Sequence, residues 1–145
     1  GPGIAISQEQ QGDFVENIVV RNNVVRDNKY NILVGPSLSD EVGGRLTNIE
    51  IRGNLIGDAK ELGEVLIMDA FNVRFLQNRF TVGRHGILAR FYTSDKEQRD
   101  IRFEGNCLIK ELGTNQKHAS LEKIRSGVFR VVPNETLLGA LSKCD

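Results

Sequence analysis

The chain has 145 residues, with 19 basic and 19 acidic side chains, which is enough for one domain with its own core. Balanced charge gives no general attraction to nucleic acid or to an anionic membrane. No apolar run approaches the roughly 20 residues of a membrane helix, so neither a nucleic acid nor a membrane is an expected partner.

Gly1 and Pro2 are read as residues that a protease site would leave and carry no structural weight here. The first predicted strand is Gly3–Ser7. Four segments then align without gaps: Asn17-Ile18-Val19-Val20-Arg21-Asn22-Asn23, Asn48-Ile49-Glu50-Ile51-Arg52-Gly53-Asn54, Asn72-Val73-Arg74-Phe75-Leu76-Gln77-Asn78 and Asp100-Ile101-Arg102-Phe103-Glu104-Gly105-Asn106. Each opens with Asn or Asp and closes with Asn. Branched or aromatic apolar residues hold the second and fourth positions, which share one face of a strand. Ile18/Val20, Ile49/Ile51, Val73/Phe75 and Ile101/Phe103 are therefore expected to point inward. Arg21, Glu50, Arg52, Arg74, Arg102 and Glu104 are expected to point outward. Two residues past each closing Asn stands Val25, Ile56, Phe80 or Leu108, which reads as a second short strand after a sharp bend.

The segments begin 31, 24 and 28 residues apart (17→48→72→100). A helical solenoid would keep a stricter period and a 3.6-residue spacing, whereas a β-solenoid lets loops grow outward without disturbing its stacked strands. A third strand fits in each gap: Asn31–Val34, Val65–Met68, Ile87–Phe91 and, at the end, Gly127–Val132, equivalent to Gly3–Ser7. The prediction is an all-β, right-handed, single-stranded parallel β-helix over residues 1–145, with about four coils, three strands per coil and three parallel sheets.

The closing asparagines follow from the same geometry. A tight bend needs a residue that tolerates the left-handed region, and Asn does. Its amide both donates and accepts, so Asn23, Asn54, Asn78 and Asn106 are expected to hydrogen-bond in sequence as a structural ladder.

These repeats resemble the pectate-lyase-like superfamily of right-handed parallel β-helices, through the Asn-Ile-x-Ile-x-x-Asn-x-Ile pattern and the Gly86-Ile87-Leu88-Ala89 strand. The resemblance covers most of residues 4–132. The superfamily includes pectate lyases, polygalacturonases, uronan epimerases, alginate and chondroitin lyases, phage tailspikes and non-catalytic surface proteins, so the fold alone does not choose among them.

The start in a strand, with no amphipathic cap before it, suggests excision from a longer protein or covering by a partner chain. The sequence shows no signal-peptide pattern, which a mature or excised domain would lack as well, so export stays open. Asn134–Leu141 is expected to form a short amphipathic helix, with Asn134 as N-cap, within a C-terminal cap over residues 133–145. Cys107 and Cys144 are too few for a disulfide framework, and no Cys/His spacing marks a zinc site. They are read as unrelated thiols rather than a bridge fastening the tail, and no metal or cofactor is expected.

In enzymes of the superfamily, polysaccharide lies along the outer face of the third strand. Here Ile32-Leu33-Val34, Val65-Leu66-Ile67-Met68 and Ile87-Leu88-Ala89 are apolar on both faces, as in a sheet covered on both sides. A loop, a second subunit or the remainder of a parent chain is expected to cover it. No Asp pair supplies the acid and base of glycoside cleavage. The loose echoes Arg84-His85-Gly86 and Lys123-Ile124-Arg125 do not replace it. His85, with Arg90 and Asp69, is the one candidate catalytic group: Arg would pair with a uronate carboxylate while His moves a proton. The outward arginines are expected to pair with the interspersed Glu50 and Glu104 rather than form a basic stripe. Two functional expectations result. One is a non-catalytic module of a larger extracellular, phage or bacterial surface protein, acting as scaffold, oligomerisation element or glycan-contacting surface. The other is part of a lyase, hydrolase or epimerase acting on an acidic polysaccharide.

Overall fold

A computed structural model describes residues 1–8, 12–35, 45–61, 63–68, 70–81, 87–92, 99–109, 120–123, 129–132 and 142–144. Every described element is a strand. In chain order they are β1 (Pro2–Ile6), β2 (Phe14–Arg21), β3 (Val24–Arg26), β4 (Tyr30–Val34), β5 (Arg45–Arg52), β6 (Leu55–Gly57), β7 (Val65–Met68), β8 (Phe71–Leu76), β9 (Arg79–Thr81), β10 (Ile87–Tyr92), β11 (Arg99–Glu104), β12 (Cys107–Leu108), β13 (Ser120–Lys123), β14 (Phe129–Val132) and β15 (Ser142–Lys143). Every third strand joins the same sheet. Sheet A is ordered β1-β4-β7-β10-β13, sheet B β2-β5-β8-β11-β14, and sheet C β3-β6-β9-β12-β15. The protein is thus a right-handed parallel β-helix with three strands per coil.

The expected coils carry β1 to β12, and β13 to β15 add a fifth strand to each sheet. The end strand is assigned differently from the sequence reading. Phe129–Val132 lies in sheet B, with Val131 beside Ile101, and the last strand of sheet A is Ser120–Lys123. Ser-Leu-Glu-Lys has one apolar residue in four, so its strand is set by pairing with β10 and not by its own pattern. Pro2 also has structural weight: it pairs with Tyr30 in β1, while the Gly1 carbonyl accepts from Lys29 N at 3.2 Å. The helix expected at 134–141 lies outside the described residues.

Register makes the repeat physical. Ile18, Ile49, Val73 and Ile101 stack in one column, and Val20, Ile51, Phe75 and Phe103 in the next. Val25, Ile56, Phe80 and Leu108 form the column of sheet C. The side chains of the inner coils are fully buried in one cluster. Phe75 and Phe103 stack with ring centroids 4.6 Å apart and planes 6° from parallel, a packing worth roughly 0.5–1.5 kcal/mol beyond area burial. Sheet A follows the same plan, except that Leu88 and Ala89 both enter the core. An irregularity in the β10–β13 register between Ile87 and Ala89 accompanies this, so that strand looks two-faced in sequence because its backbone is bulged.

The bends correct one expectation. The ladder asparagines do not carry the left-handed backbone. The residue before each does: Asn22 (φ 58°), Gly53 (62°), Gln77 (54°) and Gly105 (67°). The preceding residue turns the chain, and the amides of Asn54, Asn78 and Asn106 are buried just after it. A second set of left-handed residues opens three of the four repeats: Asn17 (φ 60°), Asn48 (55°) and Asn72 (50°). Their side chains form an outer ladder, Asn48 Nδ2 to Asn17 Oδ1 and Asn72 Nδ2 to Asn48 Oδ1. In these three repeats the opening Asn is therefore a turn signal.

Cys107 and Cys144 are joined in a disulfide with Cα atoms 5.0 Å apart, not left as unrelated thiols. The bridge fastens β15, whose two residues pair with Cys107 and Leu108 of β12. A separation of 37 residues hid the pairing, since only the stacking of coils brings these positions together.

Candidate functional site

Among the described residues, the internal ladder is the most developed polar structure. Asn54 Oδ1 accepts from Asn23 N at 2.9 Å and Asn23 Nδ2 at 3.2 Å. Asn78 Oδ1 accepts from Asn54 N at 3.0 Å and Nδ2 at 3.1 Å. Asn106 Oδ1 accepts from Asn78 N at 2.9 Å and Nδ2 at 3.0 Å. The second amide hydrogen of each inner asparagine reaches back to the coil before it, to the carbonyls of Val20, Ile51 and Phe75 at 2.8–2.9 Å. Both hydrogens and both lone pairs of Asn54 and Asn78 are thus used. Such complete use allows an amide to be fully buried, since one left unbonded would cost roughly 1–3 kcal/mol. Asn23, at the end of the row, is exposed, and its Nδ2 turns to Arg21 O of its own coil.

A second buried polar group sits at the corner between sheets C and A, where Asp27 (φ 63°) and Asp58 (57°) make the turn. Glu64 and Asn31 are both fully buried. The Glu64 carboxylate accepts from Ala59 N at 3.1 and 3.2 Å and from Asn31 Nδ2 at 2.6 Å. Asn31 Nδ2 also donates to Gly57 O at 2.8 Å, and Asn31 Oδ1 accepts from Asn28 Nδ2 at 3.0 Å. Outside this corner Arg26 pairs with Asp58, which raises the arginine above its ordinary range by hydrogen bonding and charge. These contacts link consecutive coils and have the character of a structural clamp. The sequence signal for them was weak, because Asn31 and Glu64 occupy equivalent places without being the same residue.

Of the candidate catalytic group, His85 and Asp69 lie outside the described residues. Arg90 belongs to β10 and occupies the register row Ala5, Leu33, Leu66, Arg90, Glu122 on sheet A. At Ala5, Leu33 and Leu66 this row faces away from the core cluster. Leu33 on it is only 7% exposed although it stands outside the core cluster, and Leu66 is half-buried. Close packing continues at the end of β4: a Cβ on Gly35 would lie 2.4 Å from Met68 Cβ and 2.7 Å from its carbonyl oxygen.

The outer face of sheet B is ion-paired, as expected. Glu50 lies between two arginines, with Arg52 Nε at 3.0 Å and Arg74 Nη2 at 3.0 Å. Arg102 reaches Asp100 at 3.4 Å and Glu104 at 3.8 Å. The row Val19, Glu50, Arg74, Arg102 lies beside the row Arg21, Arg52, Leu76, Glu104, so Glu50 meets an arginine both along its row and across it, and Arg102 meets Glu104 across. Among the described residues, no three His, Cys, Asp or Glu side chains group as metal ligands, and no helix is long and apolar enough to cross a membrane. No protein-family model, curated protein or solved structure matches this chain.

Proposed function

We propose that this chain is a non-catalytic β-helix module of a larger extracellular, phage or bacterial surface protein, a rigid scaffold that packs laterally against other protein. The observation that carries this reading is the outward row of sheet A. In the resembled superfamily that face binds polysaccharide, and an open sugar cleft needs polar groups there. Here the row runs through Ala5, Leu33 and Leu66 before it reaches the register positions of Arg90 and Glu122, and Leu33 is already buried outside the core. A face of this kind suits protein contact. The ion-paired face of sheet B supports the same role, because the guanidinium groups of Arg52, Arg74 and Arg102 are engaged with carboxylates of this chain. The Cys107–Cys144 bridge fits an oxidising compartment outside the cytosol.

The test combines solution mass with a screen of uronate-containing polymers for unsaturated products, read by ultraviolet absorbance. The scaffold reading expects lateral self-association, or a monomer that leaves every polymer intact. Steady release of unsaturated oligosaccharides would contradict it and favour a lyase acting on an acidic polysaccharide.

A further inference from the structure

Sheet C narrows at the crossing from β12 to β15. Its strands run three residues in β3, β6 and β9 and two in β12 and β15. The forces that join the inner coils weaken at the same place. Val25, Ile56, Phe80 and Leu108 form the inward column, and the next register place belongs to Lys143, which is exposed. A solvated ammonium in that place adds no apolar burial. The ladder bonds that tie the inner coils lie between Asn23 and Asn106. Among the described residues, β15 is therefore held by two things. One is backbone pairing with Cys107 and Leu108, which includes the bond from Cys144 N to Leu108 O at 2.7 Å. The other is the Cys107–Cys144 bridge.

The bridge lies on the outer face of the sheet. Cys107 continues the row Val24, Leu55, Arg79, which alternates along each strand with the inward column. Val24 on that row is 71% exposed, Arg79 is exposed, and Cys107 and Cys144 are each half-buried. A thiol in solution has access to a disulfide placed in this way, and access is a condition of thiol–disulfide exchange.

We propose that the Cys107–Cys144 bridge is a redox-operated latch on β15. The reductant is a small dithiol, or two molecules of a small thiol. Its first thiolate attacks one sulfur of the bridge, breaks the S–S bond and forms a mixed disulfide. Its second thiolate displaces the protein sulfur, and the reductant leaves as its own disulfide. Two electrons and the two thiol protons pass to Cys107 and Cys144, which end as free thiols. Without the bridge β15 leaves β12, and Leu108 and the backbone groups of β12 that faced it become accessible. The rest of the stack stays closed, because β13 and β14 keep their own pairing with β10 and β11 and the inner coils keep their ladder and apolar columns. A small disulfide reverses the change. This latch is independent of the scaffold role assigned to sheet A.

The test treats the intact chain with dithiothreitol in the absence of denaturant. Free thiols are titrated, and backbone mobility is followed residue by residue by nuclear magnetic resonance relaxation. The proposal expects two thiols within about an hour, the scale of uncatalysed exchange at an accessible bridge. Backbone order parameters at Lys143 and Cys144 should fall from about 0.85 to below about 0.6, while the amide signals of Asn54 and Asn78 keep their positions. Oxidised glutathione should restore the rigid strand. The Cys144→Ser variant should show the mobile strand without dithiothreitol and no further change with it. Thiols that appear only once the chain unfolds would overturn the proposal. So would residues 143 and 144 that stay rigid after reduction, or the loss of the Asn54 and Asn78 signals along with them.

Discussion

Replacing Asn78 by Ala tests the inner ladder at its best-connected position. The substitution removes four hydrogen bonds: those from Asn54 N and Nδ2 to Asn78 Oδ1, and those from Asn78 Nδ2 to Ile51 O and Asn106 Oδ1. Some losses are cushioned. Asn106 Oδ1 keeps the bond from the backbone N–H of residue 78, and Asn54 Nδ2 keeps Val20 O. The Asn54 N–H is left as a buried donor, a loss of about 1–3 kcal/mol, and the emptied amide volume adds ~1 kcal/mol. The expected destabilisation is therefore about 2–4 kcal/mol. In a chain of this size that lowers Tm by roughly 5–15 °C. Asn23→Ala is the internal control. Its side chain is exposed, and Asn54 Oδ1 retains the bond from the backbone N–H of residue 23, so the loss should stay near 0.5–1 kcal/mol. Urea unfolding of both variants, with comparison of midpoints at unchanged slope, reads the difference. If Asn78→Ala cost no more than Asn23→Ala, the reasoning about buried, saturated amides would be refuted.

Three further outcomes follow from other parts of the structure. The unreduced protein should show no titratable thiol and two after denaturing reduction. Cys144→Ser should remove up to about 4 kcal/mol, the loop-entropy value for a 37-residue separation, and two free thiols before reduction would contradict the fold of the C-terminal strand. Gly35→Ala should destabilise by about 1–3 kcal/mol, because its Cβ would fall 2.7 Å from the Met68 carbonyl oxygen and the backbone must move; a neutral thermal melt would refute this close approach. Asn31→Asp sets a second carboxyl at the position now 2.6 Å from Glu64 Oε2, and two carboxylates so close resist joint ionisation. The folded state then favours protonation at residue 31, so the variant should be destabilised at pH 7, with the deficit shrinking as pH falls toward about 4. A deficit that is independent of pH would refute the buried corner.

Much of this architecture is legible in the residues, for a physical reason. Inward pairs such as Ile49/Ile51 and Val73/Phe75 must recur wherever a coil closes over the same core, and an inward Asn is tolerable only with a like neighbour above and below. Local chemistry that does not repeat was harder to read. Ser120–Lys123 is a strand because β10 templates it, and its composition says little. The left-handed turn falls on Asn22, Gly53, Gln77 and Gly105, four positions of three residue types, so composition directed attention to the asparagine beside it. The Glu64–Asn31 clamp joins unlike residues, and the Cys107–Cys144 bridge spans coils of unequal length. Both depend on register, which only the folded chain reveals. Of the catalytic candidates, Arg90 alone falls within the described residues, at a register position beside Leu66.

Hydrogen exchange of side-chain amides, resolved residue by residue by nuclear magnetic resonance, tests the stacked interior most directly. Protection is expected to rise sharply from Asn23, which faces water, to Asn54, Asn78 and Asn106, whose Nδ2 hydrogens should exchange at least a hundredfold more slowly, on the order set by opening a buried bond. Exchange of all four amides at the rate of a free asparagine would show that no such column of bonds exists inside the coil.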